Sequence, residues 1–323
     1  MITVSQPGRM GSRILSLGGY QPSLVVTNDD LAARLATDDE WIRSRVGIQE
    51  RRLAGREEGI VEMAVEAGGK ALARSGILPR DVDLVIVATC SGETPLPAHA
   101  PRVAHLLGIE APGAFDLNAA CAGFCYGLGA ADGLIRAGTA TNVLVIGAEK
   151  MSQWVDPADR NTAVIFADGA GAAVLTASDA AYGPGIGPTV WGSAGDLADK
   201  LTVPTRTDFL RQEGQAIFRW ATSAVAPVAL EACRRAGVEP AELAVVAPHQ
   251  ANLRIVRSIA RSIGAPQALV AEDIVHAGNT SAASIPLALA RMLSAHEVPS
   301  GSPALLVGFG AGLAYAAQVV LLP

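Results

Sequence analysis

Along this chain the most apolar segments are continuous runs of Val, Ile, Leu and Ala rather than alternations of apolar and polar residues. Runs of that kind predict strands buried on both faces. Helical patterns ending in Gly alternate with them, which predicts α/β layers. The pattern also repeats. GILPRDVDLVIVA at 76–88 returns as GVEPAELAVVAPH at 237–249, and VLVIGAE at 143–149 as ALLVGFG at 304–310, both at an offset of 161 residues. Between them DLNAAC (116–121) aligns with IVHAGN (274–279) at an offset of 158. The glycine turn of ADGAGAAVL (167–175) resembles FGAGLAYAA (309–317) at 141, so the first half carries about 20 extra residues, roughly 150–167. Two related halves are therefore expected, residues 1–175 and 176–323, with irregular sequence at 176–212 connecting them.

Composition narrows the function classes. Half of the 323 residues are hydrophobic, enough for an extensive core, and a net charge of -6 argues against a nucleic acid held by general electrostatics. Four cysteines and five histidines show no metal-ligand spacing and no secreted disulfide framework, so neither metal nor cofactor is expected and a reducing cytoplasm is. Arg9 and Arg13 precede an apolar run, 14–17, too short for a signal-peptide core. Residues 303–323 are uncharged and as long as a spanning helix, but Gly308, Gly310, Gly312 and Gln318 divide them, predicting two buried strands around a turn instead of a membrane segment.

Candidate chemistry lies at strand-to-helix turns. Cys121 follows the run 115–118 and opens a helical pattern, where the partial positive charge of a helix N-terminus favours thiolate and small neighbours leave room for an acyl group. His249 ends the buried strand before QANLRIVRSIARSIG, and Asn279 lies in HAGNTSAASIP. Singly, these residue types are ordinarily a packed thiol, a structural imidazole and a cap. Together, at corresponding ends of repeated units, they supply a nucleophile, an imidazole and an amide donor.

AACAGF, PHQANLR, GNTSAASIP and GFGAG, in that order, resemble the ketoacyl synthase III branch of the thiolase superfamily across essentially the whole chain. The resemblance implies a five-layered αβαβα sandwich of two duplicated halves, assembled as a homodimer. It also implies an acyltransferase that initiates fatty acid synthesis. Cys121 would take the acyl group from acyl-CoA, and His249 and Asn279 would hydrogen-bond the thioester carbonyl of malonyl-acyl carrier protein during decarboxylation. Backbone N–H groups of Cys121 and Ala311 would form the oxyanion hole. A homologue that selects primers or transfers acyl groups in natural-product synthesis is the runner-up. A catalytically silent dimer that binds CoA or a carrier protein is the alternative from another class.

Binding surfaces follow in the same way. Thr27 with Asp30 and Thr37 with Glu40 have capping-box spacing, placing WIRSR on a short helix ending at Gly47, with Trp41 and Arg45 on one face as an exposed cation–aromatic pair. The resemblance assigns Trp41, Arg45, Arg160 and Asn252 to CoA. Arg254, Arg257 and Arg261 make one helix face basic. The resemblance implies that acidic carrier protein docks there, through Gln250, Arg254 and Arg257. Leu96 stands where the best-known bacterial members of the family carry a Phe that reaches across the dimer into the partner's acyl pocket, and the connection before Gln212 is short compared with many actinobacterial-type members; both bear on the primer. Cys125 is expected to pack as a small hydrophobe.

Overall fold

A computed structural model describes residues 11–179, 183–295 and 298–323; Arg9 lies outside them. Two five-stranded sheets dominate. In the first, the spatial order is Ser12–Tyr20, Asp168–Ala177, Asn142–Lys150, Leu84–Ala88 and Gly113–Leu117. In the second it is Val190–Ser193, Ala314–Leu321, Pro303–Gly310, Val245–Pro248 and Leu269–Val270. Both sheets pair antiparallel, antiparallel, parallel, parallel in that order, so the second half repeats the first strand for strand. The uncharged C-terminal stretch forms two of these strands around the turn Ala311–Leu313. Among the described residues, no helix is long and apolar enough to cross a membrane.

Three apolar clusters define five layers. Helices Ile60–Ser75 and Ala100–Leu106 cover the outer face of the first sheet, through Met63, Ala67, Val103, Val85 and Ile146. Helices Gly214–Ala236 and Leu253–Ile263 cover the outer face of the second, through Val225, Ile259, Leu305 and Val307. Helices Gly123–Arg136 and Ser284–Ala295 lie between the sheets, buried against both, with Phe124, Leu128, Ile285 and Leu289 in one continuous core. This is the thiolase-like αβαβα sandwich. Cys125 is fully buried in the central layer.

The repeat is more regular in space than along the chain. Each central helix is entered through a single 3-10 turn, Ala120–Ala122 or Ser281–Ala283. Ala120 and Ser281 both adopt the left-handed region, at φ 45° and 48°. Before each turn an Asn side chain accepts a backbone hydrogen bond two residues on, Asn118 from Ala120 N–H at 3.1 Å and Asn279 from Ser281 N–H at 2.9 Å. The offset there is again 161, not 158, so Asn279 matches Asn118 and Cys121 matches Ala282. The reason is local: IVHA forms the short helix Ile274–Ala277, whereas the strand equivalent to Gly113–Leu117 is Leu269–Val270. Length differences before the turn cancel by the time it is reached.

Gly147 and its counterpart Gly308 let each turn reach the opposite sheet. A Cβ on Gly147 would sit 2.4 Å from the Ala282 carbonyl oxygen, and one on Gly308 2.9 Å from Ala122 Cα. The expected boundary at 175 falls inside strand Asp168–Ala177, and the connection contributes Val190–Ser193 to the second sheet. Of the two capping boxes, Thr27 with Asp30 forms. The second does not: Asp38 caps Asp39–Arg45 and accepts from Trp41 N–H at 2.7 Å, while the Thr37 hydroxyl is buried without a partner. Aspartate at the residue before the helix outcompetes threonine one position earlier.

Candidate active site

Cys121, His249 and Asn279 are brought together, 5%, 2% and 5% exposed. The left-handed Ala120 turns the chain so that the Cys121 sulfur faces Gly310, where a Cβ would lie 2.9 Å from it. Burial pushes the thiol up to about 12, aided by the Glu149 carboxylate; the Ser281 hydroxyl and then the Cys121 and Ala311 N–H groups pull it down but are outweighed. The expectation that the helix N-terminus favours thiolate is thus corrected, because desolvation dominates in this enclosed place. Those two N–H groups are the pair assigned to the oxyanion hole.

His249 is anchored by its N–H to Val307 O at 2.8 Å; its ring meets Phe309 edge-on, and Nδ1 is 2.7 Å from Ser284 Oγ. Burial pushes its pKa down to about 3, so the ring is neutral. The Asn279 backbone bridges Phe166, giving its N–H to Ile165 O and taking Ala167 N–H, each at 2.9 Å. With Oδ1 engaged by Ser281 N–H, neither Asn279 Nδ2 nor His249 Nε2 makes a hydrogen bond among the described residues. Two uncommitted donor positions therefore stand beside one sulfur.

Cavities meet at Cys121. One of about 580 Å³ has Tyr126, Met151, Trp154, Phe166, Leu201 and Leu210 on its walls, and Cys90 and Ser281 beside Cys121. A narrower one, about 100 Å³, holds His249, Asn279 and Phe309. It shares Gln212, Phe218 and Asn252 with a third that opens between Arg45, Arg219 and Arg254. The sulfur thus lies between an apolar chamber and a cleft whose mouth is basic.

Trp41 and Arg160 also meet. The Arg160 guanidinium lies 4.5 Å over the Trp41 ring and donates to Ala36 O at 2.8 Å, so the cation on Trp41 is Arg160 rather than Arg45. Arg160 comes from the first-half insertion, whose short helix Arg160–Ala163 is capped by Asp159. Asn252 caps Leu253–Ile263 and donates to Arg45 O at 3.1 Å. Arg254, Arg257 and Arg261 share an exposed face; Arg254 stacks over Phe218, and Arg257 makes a two-pronged pair with Glu272 at 2.7 and 2.8 Å.

Gln250 is a correction. It is 1% exposed, with Nε2 donating to Pro248 O and Ala271 O and Oε1 accepting from Ile274 N–H, so its side chain is unavailable to a docking protein. Leu96 is 83% exposed and lines none of these cavities. Cys90 and Tyr126, which do line the chamber, were not anticipated.

Nor was Glu149 anticipated. Its buried carboxylate accepts from Ser91 Oγ, from Thr89 Oγ1 at 3.1 Å and from Ser281 Oγ at 2.9 Å, and burial pushes its pKa up. At the 161 offset its counterpart is Gly310. A lone acid ending the apolar run VLVIGAE was the available signal.

Comparison with known proteins decides the family. The model for 3-oxoacyl-[acyl-carrier-protein (ACP)] synthase III matches residues 115–195, and the model for its C-terminal part matches 233–322. A beta-ketoacyl-[acyl-carrier-protein] synthase III of Streptomyces coelicolor is 52% identical, over 97% of this chain and 99% of that protein. The chain belongs to the 3-oxoacyl-[acyl-carrier-protein] synthase III family. Among solved structures, the synthase III of Pseudomonas aeruginosa PAO1 superposes with a TM-score of 0.92 at 41% identity, covering 97% of this chain and 98% of that one. The priming β-ketosynthase of the R1128 polyketide pathway superposes at 0.94, also with 41% identity, covering 99% and 98%. Members of this synthase III family are condensing acyltransferases.

Proposed function

We propose that the protein condenses an acyl-CoA primer with malonyl-acyl carrier protein, releasing carbon dioxide and forming 3-oxoacyl-acyl carrier protein at the start of fatty acid synthesis. The observation that carries this reading is the Cys121 sulfur flanked by the Ala311 N–H, the His249 imidazole and the uncommitted Asn279 Nδ2. Cys121 attacks the primer thioester, its proton leaving with the CoA thiol. The tetrahedral oxyanion sits on the Cys121 and Ala311 N–H groups. Malonyl thioester then enters the cleft, and as its carboxylate departs as carbon dioxide, charge grows on the thioester oxygen facing His249 and Asn279. Fixed donors aimed at developing charge lower a barrier by about 3–4 kcal/mol each in comparable sites. The resulting carbanion attacks the acyl carbon and expels Cys121 as thiolate, which takes a proton from water to restore the thiol.

Trp41, Arg160, Arg45 and Asn252 are the proposed CoA contacts, and Arg254 with Arg257 the carrier-protein contacts on the basic face. Leu96, exposed on the protomer, is the residue that would enter the partner's chamber in the homodimer that the family resemblance implies. A cytoplasmic location accords with these substrates. Intact mass after incubation with acyl-CoA tests the reading: an acyl adduct on the wild type, absent from Cys121→Ala, is expected. No adduct with any primer refutes it. His249→Ala and Asn279→Ala are expected to acylate but to lose carbon dioxide release. The roomy apolar chamber and the R1128 likeness keep a natural-product priming role as the second reading, separable by product analysis across primers.

A further inference from the structure

We propose that Ser284, itself held by the backbone of Gln250, fixes the single imidazole proton of His249 on Nε2, making His249 a donor toward the cleft and removing it as a base for Cys121. The inference rests on the function proposed above for His249. A neutral imidazole carries one proton, and the partner of one nitrogen decides which nitrogen holds it. Here that partner is Ser284 Oγ, 2.7 Å from Nδ1. The same oxygen accepts Gln250 N–H at 3.3 Å.

Among the described residues Ser284 Oγ has no further partner, so Nδ1 is the one acceptor in reach of its hydroxyl proton. Ser284 therefore donates and Nδ1 accepts. The opposite tautomer would crowd two N–H donors onto one oxygen and leave a hydroxyl donor unmade at a residue 2% exposed. Gln250 is itself locked in place, since Nε2 binds Pro248 O at 2.6 Å and Ala271 O at 3.0 Å, and Oε1 takes Ile274 N–H at 3.1 Å. The burial that removes its side chain from any docking surface also holds in place the residue whose N–H meets Ser284.

The internal repeat supports the pairing independently. At the 161 offset His249 corresponds to Ala88 and Ser284 to Gly123. A Cβ on Gly123 would lie 3.2 Å from Ala88 Cβ, so the two halves make the same contact between strand end and central-helix start. In one half two small residues merely pack there. In the other the contact has become an imidazole and a hydroxyl. With the proton on Nε2, the thiol proton of Cys121 cannot pass to His249 and leaves with CoA.

Long-range proton–nitrogen NMR of the full-length protein labelled with 15N-histidine tests this, the His249 signals being those lost in His249→Gln. The expected spectrum has Nε2 protonated and Nδ1 bare between pH 6 and 8; a protonated Nδ1, or an even mixture, overturns the inference. Ser284→Ala is expected to lose the single tautomer and slow carbon dioxide release at least tenfold, with acylation of Cys121 within twofold of wild type. Release at the wild-type rate overturns it. Should that variant fail to fold, the wild-type spectrum still decides. Undiminished release by His249→Gln would instead defeat the role assigned to His249, whichever nitrogen carries the proton.

Discussion

Gly310→Ala should separate the nucleophile's setting from the fold. Gly310 has φ 178°, extended backbone that any residue adopts, so alanine there meets no backbone strain. Its methyl group would instead fall 2.7 Å from Cys121 Cβ, 2.9 Å from Sγ and 3.0 Å from N. Ordinary contact begins near 3.4 Å, so about 0.7 Å of movement is needed. Cys121 cannot supply it freely, because the adjoining Ala122 is fully buried against Gly308. Since a misplacement of about 1 Å can cost a factor of about 100 in rate, acylation should fall by roughly 30- to 100-fold. Overpacking should cost about 1–3 kcal/mol of stability, small enough to leave a folded protein. Gly133→Ala, in the same central helix with nothing within 4 Å, is the control and should be neutral or slightly stabilising. Single-turnover acylation followed by quenched intact mass, beside thermal melting, measures both effects. Wild-type acylation by the Gly310 variant would refute the claim that this glycine keeps space for the sulfur.

Two pH dependences follow. With the Cys121 thiol pushed up to about 12, alkylation of the free enzyme by iodoacetamide should rise about tenfold per pH unit from 6 to 9; a plateau below pH 8 would show that the turn's donors outweigh burial after all. His99, 7% exposed, is raised to about 9 by Asp116 and then by Glu93, so its stabilisation is fully present below pH 6.5 and lost as pH rises through 9. It amounts to no more than about 3 kcal/mol, reduced because Glu93 is a third exposed. The melting temperatures of wild type and His99→Asn should converge between pH 7 and 9.5, and parallel curves would contradict this.

Much of the architecture was legible because duplication writes the same apolar strands twice, and strand ends carry chemistry wherever they occur. Cys121, His249 and Asn279 could be picked out as reactive residue types at repeated turns. Ser284, Glu149 and Gln250 were less visible, for they act on other groups across the central layer and their partners are far away in sequence. Gln250 shows the limit well: a polar residue beside a basic helix reads as surface, and only the three-dimensional path of residues 271–274 reveals that its amide is enclosed. Arg160 likewise met Trp41 from more than 100 residues away, where spacing along one helix favoured Arg45.

The pairing of Glu149 with Gly310 shows how the two halves divide their tasks. The internal repeat presents two equivalent places, each a turn into a central helix facing the end of the other half's strand. In this chain one pocket keeps the cysteine and the vacant glycine; its mirror has Ala282 in place of sulfur and a carboxylate filling the space, bonded to Ser281 Oγ at 2.9 Å. That mirror place works as a brace across the central layer. The brace also holds Ser281, which lines the chamber beside Cys121, so the turn without a nucleophile steadies the one that has it. The site therefore needs both halves, Cys121 coming from one and His249, Asn279 and Gly310 from the other.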